Sequence, residues 1–425
     1  MGTYLLAAFF LLLLMGVPIA VCLGLATVVA LVFGGDISLA ITAQTMFTGV
    51  NSFSLLAIPF FVLAGNLMAS GGISRRLVNF ANLIVGGMTG GLAIVSVLAS
   101  MIFAAISGSC PATTAAIGGI MLPEMEKNGY STEFSAATIA AAGTTGQVIP
   151  PSIPMVSYAV LAGCSVSQLF IAGVLPGVAM GLAMMLVAYI FARRNNIRGV
   201  VVKRTFRESL HIFCDSIWAV LMPAIILGGI YSGIFTPTES AAIAVVYGVI
   251  VGLFIYKDLK LKNILKILTD SAAGTAVIML IMATASSFSW VLTSERIPQF
   301  IANSLLGVTT NKYILLFLFN VVLLIAGCFL NPSAAVILLT PILLPVLTGV
   351  GVDPVLVGII MIVNLAIGQV TPPVGACLYV ACNIGQLKLE PLVKAIIPYL
   401  LALLLVILLI TYVEPISLLL PALLN

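Results

Sequence analysis

Apolar residues along this chain do not alternate with polar ones. They come in long runs separated by short polar, glycine-rich or proline-rich stretches, which is the pattern of helices apolar all round rather than of half-exposed strands. The runs 2–33, 53–70, 168–192, 214–232, 238–256, 272–294 and 395–424 are each long enough to cross a bilayer. Two more runs, 134–165 and 354–386, are broken inside, at 146–151 and 368–373. Two others, 91–125 and 313–348, each hold two short apolar segments around a small polar tip. The first tip is Ser107-Gly108-Ser109-Cys110-Pro111-Ala112-Thr113-Thr114, the second Leu330-Asn331-Pro332-Ser333. This predicts re-entrant hairpins, because irregular backbone at membrane depth is tolerated only where protein or water satisfies it. The stretch 37–50 is mildly amphipathic and 297–311 is read as interfacial, and a short amphipathic piece follows Arg75 and Arg76 to about Met88.

The pattern occurs twice. Gly146–Pro151 reads GQVIPP and Gly368–Pro373 reads GQVTPP, 222 positions apart. A Pro-Pro pair removes two backbone donors and stops a regular helix. At the same offset Pro123 meets Pro345, Gly163 meets Gly385 and Pro176 meets Pro398. The shared order of span, arm, hairpin, broken span and span divides the chain into a first repeat (1–192), a basic loop with one unpaired span (193–235) and a second repeat (236–425). Four crossings per repeat plus the unpaired span 214–232 make the second copy inverted. The fold class read from this pattern is an all-α polytopic membrane protein with two re-entrant hairpins and two broken transmembrane helices.

Composition narrows the class further. With 62% hydrophobic residues, 7% charged residues and a mean hydropathy of +1.27, a soluble domain is excluded. The net charge of +4 carries no nucleic-acid argument, since the basic residues lie between the apolar runs. A cytoplasmic N-terminus and a periplasmic C-terminus place every Lys and Arg except Arg296 and Lys312 on the cytoplasmic side. On that topology the hairpin 91–125 enters from the cytoplasm and 313–348 from the periplasm. The first 33 residues lack a basic leader and run too long for a signal sequence, so they are read as a first span. The 7 cysteines have no CxxC spacing and are read as small core residues. The single histidine, His211, falls in a charged loop, and no metalloprotease, phosphate-loop or nucleophile-elbow motif is present. An enzyme is therefore not expected.

Inverted repeats with paired hairpins and broken helices are transporter architecture, with sites at half-helix ends near the midplane. The first set of groups is Ser107, Ser109, Thr113 and Thr114 at the tip, with Thr144, Thr145, Gly146, Val148 and the carbonyls before Pro150 at the break. The second set is Asn331 and Ser333 at the tip, with Gly368, Gln369, Thr371 and the carbonyls before Pro372. Both are neutral oxygen chemistry suited to a hard cation, and two sets predict at least two cation sites. Tips that merely cap the hairpins are the bland alternative. Neither set contains Asp, Glu or His, which favours Na+ over a proton relay. Glu239, behind Pro237, is expected in the first turn of its span, where an acid suits the helix dipole. With no Arg or Lys inside the apolar runs, an anionic substrate would rely on dipoles, hydroxyls and bound Na+.

The runs Ser107-Gly-Ser-Cys-Pro-Ala-Thr-Thr-Ala-Ala-Ile-Gly, Met121-Leu-Pro-Glu-Met and Val148-Ile-Pro-Pro-Ser-Ile-Pro154 carry a family resemblance. Over almost its full length the chain resembles the DctM-type large membrane subunit of tripartite ATP-independent periplasmic (TRAP) transporters, of the ion transporter superfamily. The resemblance implies Na+-driven uptake of organic acids, such as sialic acids or C4-dicarboxylates, across a bacterial inner membrane by an elevator movement. It implies two partners, a small DctQ-type membrane subunit on a separate polypeptide and a soluble DctP-type periplasmic binding protein, and no cofactor besides the coupling ion. Carried over, Ser107, Ser109 and the Thr144–Pro150 break would line one Na+ site. Asn331 and the Gly368–Pro372 break would line the other. Substrate would lie between the tips, with Ser107, Ser109, Thr113, Gln147, Ser152 and Asn331 as candidate contacts. Cys110 and Gln147 sit at positions expected to vary, so neither has a firm role. The competing readings are a stand-alone Na+-coupled divalent-anion carrier, a passive channel and, least supported, an intramembrane enzyme.

Overall fold

The computed structural model describes residues 1–34, 37–197, 205–309 and 311–424. Among them the chain is helical without strands, and 8 helices are long and apolar enough to cross a membrane. It opens with α1 (Gly2–Leu14) and α2 (Ile19–Gly34), which pack against each other. Residues 2–33 are therefore not one span. Gly16 turns at φ +77° and Pro18 supplies no backbone donor, so the apolar run folds back on itself. The end of α2 returns to the start of α1, since a β-carbon on Gly34 would lie 2.6 Å from Met1 Cα.

Next come α3 (Ala40–Val50), α4 (Ala57–Ser70, entered through a 3-10 turn at Phe53–Leu56) and the amphipathic α5 (Ile73–Val85). The first hairpin is α6 (Gly91–Ser107) and α7 (Cys110–Lys127). Its irregular tip is shorter than expected, only Gly108 and Ser109. Pro111 sits in the first turn of α7, where its missing N–H has no intrahelical acceptor to lose. The first broken span consists of α8 (Thr132–Gly143), the single turn α9 (Thr145–Val148) and α10 (Ile153–Ala162). It is followed by α11 (Val166–Arg194).

The second half runs α12 (Phe206–Tyr231), α13 (Pro237–Ile250, continued as a π turn to Ile255), α14 (Leu261–Ser294) and α15 (Ile297–Val308). Its hairpin is α16 (Lys312–Phe329) and α17 (Pro332–Gly349). The second broken span is α18 (Pro354–Gly368) and α19 (Ala376–Gly385). The chain ends in α20 (Leu389–Tyr412) and α21 (Pro415–Leu424), so 395–424 is also not a single span. His211 lies on α12, and Lys262 and Lys266 on the first turns of α14, rather than in loops. Glu239 stands where expected: its amide donates to Thr236 Oγ1 at 3.3 Å, and its Oε2 accepts the Thr236 amide at 2.8 Å.

Packing repeats with the sequence. α4 packs on α13 and α2 on α14, and the same offset relates the two pairs. Shifted by 222, α1 falls on 224–236, the last turns of α12 and the turn beyond it. The two broken spans clasp each other's hairpins, α10 against α17 and α19 against α7.

α14 is about 50 Å long at 1.5 Å per residue, so its ends mark opposite faces of the molecule. At one end Arg76 donates to Asp258 Oδ2 at 2.6 Å. At the other, Glu295 Oε2 accepts the Gly2 amide at 2.9 Å. Lys312, past α15, pairs with Glu414 at 2.5 Å. Met1 thus shares a face with Arg296, Lys312 and Glu414. Met1 and Glu414 thus lie on one face, where the sequence suggested opposite sides for the N-terminus and the C-terminal segment, because α1 and α2 fold back as a pair in place of one span.

Arg76 also corrects the expectation that no Arg is buried. Its side chain is 10% exposed, with Nε 3.2 Å from Asp215 and its guanidinium 3.6 Å over the Tyr256 ring. The cluster sits at the face, away from both tips, and ties α5 to α12 and to the end of α13. Replacing Arg76 by Met is expected to weaken this anchor by roughly 1–3 kcal/mol. That is below the loss for a fully buried pair, because both aspartates are partly hydrated. Amide exchange in α5 reads it: faster exchange is expected, and an unchanged rate would refute the anchor.

Candidate functional site

The first tip is held by its own hydroxyls. Ser107 Oγ lies 2.7 Å from Thr113 Oγ1, and Thr113 Oγ1 donates to the Ser109 carbonyl at 2.9 Å. Thr114 Oγ1 donates to the Cys110 carbonyl at 3.0 Å. The break lies directly on this tip because it is built of glycine there. A β-carbon on Gly146 would come within 2.5 Å of the Ser109 carbonyl oxygen and 2.6 Å of Thr113 Oγ1. Cys110 Sγ reaches the Thr144 carbonyl at 3.4 Å. Thr144 and Thr145 spend their hydroxyl protons on the Ala141 and Ala142 carbonyls, at 2.6 and 2.7 Å, which leaves oxygen lone pairs as their free function. Gln147 is buried with Oε1 unpartnered. Ser152 caps α10, accepting from the Met155 amide at 3.4 Å. The Val148 carbonyl faces away from the tip, against Gly173 of α11.

These groups form a cluster of oxygen acceptors, with no carboxylate or imidazole among them. Such a set suits a hard cation, and a buried acceptor without a donor is an open valence for one. Two helix N-termini also converge here. α7 begins at the tip, and the start of α10 touches it, with Ile153 N 3.5 Å from the place of a Gly108 β-carbon. Oriented N–H groups of this kind favour an anion.

The second tip is built differently. Asn331 caps α17, accepting from the Ser333 amide at 3.0 Å, and its side chain is exposed. Gln369 Nε2 donates to the Gly327 and Leu330 carbonyls at 3.3 and 3.4 Å. Thr371 Oγ1 donates to the Ile367 carbonyl at 2.9 Å. Gly368 and Gly327 bring α18 and α16 into backbone contact, with no room for a β-carbon on Gly368. Ser333 is buried, Thr371 and Pro372 are half-buried, and Pro373 is exposed. Thr144 through Ser152, their counterparts, are buried throughout. The two motifs are equal in sequence and unequal in surroundings: Gln369 staples its hairpin, while Gln147 leaves an acceptor free.

Pattern reading missed the other wall of the first site. A cavity of about 200 Å3 is lined by Ser107, Ser109 and Ala112 on the hairpin, Ile153 on α10, Gly65, Asn66 and Ala69 on α4, and Gly274 and Ile278 on α14. Asn66 Nδ2 donates to Ser271 Oγ at 2.8 Å beside it. Ala69 also lines a second cavity, of about 420 Å3, with Ala116, Ile120, Arg75 and Asp258. Ala69 thus lies between the inner cavity and the Arg75–Asp258 face. Of the candidate substrate contacts, Ser107 and Ser109 line the inner cavity. Thr113, Gln147 and Ser152 lie behind the tip, and Asn331 belongs to the other hairpin. The only forewarning of the α4 wall was Gly65-Asn66 inside an apolar span.

The profile of the family described as "Tripartite ATP-independent periplasmic transporter, DctM component" matches residues 6–416. A C4-dicarboxylate TRAP transporter large permease protein DctM from Pseudomonas aeruginosa is 45% identical over 94% of this chain and 93% of its own length. A sialic acid TRAP transporter large permease protein SiaM from Vibrio cholerae is 36% identical over 97% of this chain and 96% of its own. An isethionate TRAP transporter permease protein DctMQ from Oleidesulfovibrio alaskensis is 45% identical over 96% of this chain, which spans only 64% of that relative. The solved YdaH transporter of Alcanivorax borkumensis shares the fold, with a TM-score of 0.67 at 16% identity over 89% of this chain and 90% of that one.

Proposed function

Because the chain belongs to the TRAP transporter family as a DctM-type large permease, a multi-pass membrane transporter and not an enzyme, we propose that it carries a small organic acid into the cell in symport with Na+. The observation that carries this reading is the first tip and break: a buried cluster of neutral oxygens, set against two helix N-termini that open on a cavity. Na+ sits among Ser107, Ser109, Thr113, Thr144, Thr145 and the Gly146 backbone. The substrate carboxylate lies in the cavity, at the N-termini of α7 and α10. The second cation site is formed by the Asn331 tip and the break Gly368–Pro372 once Gln369 gives up its hairpin carbonyls. The hairpins and broken helices then slide as one body against α4 and α14, the elevator movement. The face of Arg76 and the basic loops is cytoplasmic, which puts Met1 and Glu414 on the periplasmic side. A small DctQ-type subunit and a DctP-type binding protein complete the transporter. The substrates named for the relatives, C4-dicarboxylates, sialic acid and isethionate, support a small organic acid.

The test is uptake in proteoliposomes that hold the chain with its small subunit and binding protein. Accumulation is expected only with an inward Na+ gradient, and Ser107→Ala is expected to raise the Na+ needed for half-maximal uptake about tenfold, a loss of about 1.4 kcal/mol. Full accumulation without Na+ would sink the symport. Full uptake without the binding protein would favour the stand-alone carrier.

A further inference from the structure

One cavity away from the transport site combines apolar walls with opposite charges. It has about 380 Å3 of space and is lined by the start of α8, the end of α11 and the start of α20. The stacked rings of Phe134 and Phe191, 3.6 Å between centroids, form its wall. Arg194, Lys394 and Glu133 are its charged residues. Neither Arg194 nor Glu133 has an ion-pair partner within 4.0 Å among the described residues, and Lys394 meets only Glu390 at 3.6 Å, both largely exposed. From the groove, exposed apolar side chains continue at helical spacing toward the bilayer centre: Leu182, Leu186 and Ile190 on α11, Leu401 and Leu405 on α20.

The repeat shows what this place accepts. In the other half the equivalent elements are the start of α18, the end of α20 with the first turn of α21, and the start of α11, and the apolar helix α21 packs on α11 and α18. At the offset of 222, Glu133, Lys394 and Arg194 correspond to Val355, Ala172 and Ile416, none charged. The second half thus lacks the two cations and meets an apolar helix there, with Asp353 in the place of Ser131. The groove carries two cations and an acid, and its lining comes from α8, α11 and α20 alone.

We propose that this groove binds one phospholipid with a phosphoethanolamine headgroup. The phosphate sits between Arg194 and Lys394, where a guanidinium offers paired donors. The ammonium meets Glu133, and an acyl chain follows the α11–α20 stripe. Basic pockets between membrane helices on the cytoplasmic side hold lipid headgroups by this chemistry. A glycerol headgroup carries the same phosphate but no cation, and so leaves the Glu133 carboxylate repelled.

The experiment is native mass spectrometry of the purified full chain, delipidated and titrated with dioleoyl phosphatidylethanolamine or dioleoyl phosphatidylglycerol. The wild type is expected to retain the ethanolamine lipid several-fold better. Arg194→Ala with Lys394→Ala is expected to lower retention of both lipids about tenfold, while the control Lys257→Ala with Lys260→Ala leaves it unchanged. Glu133→Gln is expected to reverse the preference toward the glycerol lipid. All these side chains are at least partly exposed, so gel-filtration profiles should not change. Equal loss in the two double variants would overturn the site, and an unchanged preference in Glu133→Gln would overturn the headgroup assignment.

Discussion

Gly368→Ala is expected to abolish uptake and to loosen the second hairpin. A β-carbon at 368 would stand 2.4 Å from the Gly327 carbonyl carbon, 2.5 Å from its Cα and 2.8 Å from its oxygen. All three are backbone atoms, so no side-chain rotation can relieve the overlap. α18 must move off α16 by about an ångström, and that shift breaks the Gln369 bonds to Gly327 and Leu330. Overpacking of a close helix contact costs about 1–3 kcal/mol, and the upper end applies where both partners are backbone. A loss of more than about a hundredfold in initial uptake is expected, since a small misplacement of a positioned site costs about that much. Faster amide exchange should accompany it in α16 and α18. Gly119→Ala in α7 is the control, because nothing lies within 4 Å of its β-carbon position. Wild-type uptake by Gly368→Ala would show that the two helices separate during transport without need of this contact.

Gly146→Ala tests the first site more selectively. The new methyl would fall 2.5 Å from the Ser109 carbonyl oxygen and 2.6 Å from Thr113 Oγ1, in the space those oxygens share. On the proposed reading that space belongs to Na+. The purified wild type should then melt at higher temperature as Na+ is added, following the mass-action rule for a ligand that binds only the folded state. Gly146→Ala should lose this rise, and its Na+ requirement for uptake should increase at least tenfold. A Na+ response equal to that of Gly119→Ala would remove the cation from this tip and leave the hydroxyls as hairpin caps.

Membrane insertion, the two hairpins and the two broken spans were legible in the residues, because each rests on a local rule. Apolar length sets a span, and Pro-Pro ends a helix wherever it occurs. The doubled GQV motif located both breaks, although Thr144 already starts the first. Two long runs misled for a shared reason: hydropathy averaged over a long window does not register a turn of two or three residues. Gly16-Val17-Pro18 folds 2–33 into a pair of helices, and Val413-Glu414 divides the last run. The first of these puts Met1 on the face of Glu414.

The candidate site was legible by half. Ser107, Ser109, Thr113 and Gly146 were found by type and position, and they do meet. The wall opposite them, Gly65, Asn66 and Gly274, comes from helices remote in the chain with no motif to mark them. The contrast between Gln147 and Gln369 was equally invisible, since the two stand in nearly identical hexapeptides. The sequence by itself determined the family, the helical class and the places where helices stop, since backbone sterics and apolar length act locally. Only the tertiary structure decided that one GQV motif is buried with a free acceptor while the other is stapled and half open. That difference depends on which distant helix lies against each break, and packing of that kind is set by the whole fold.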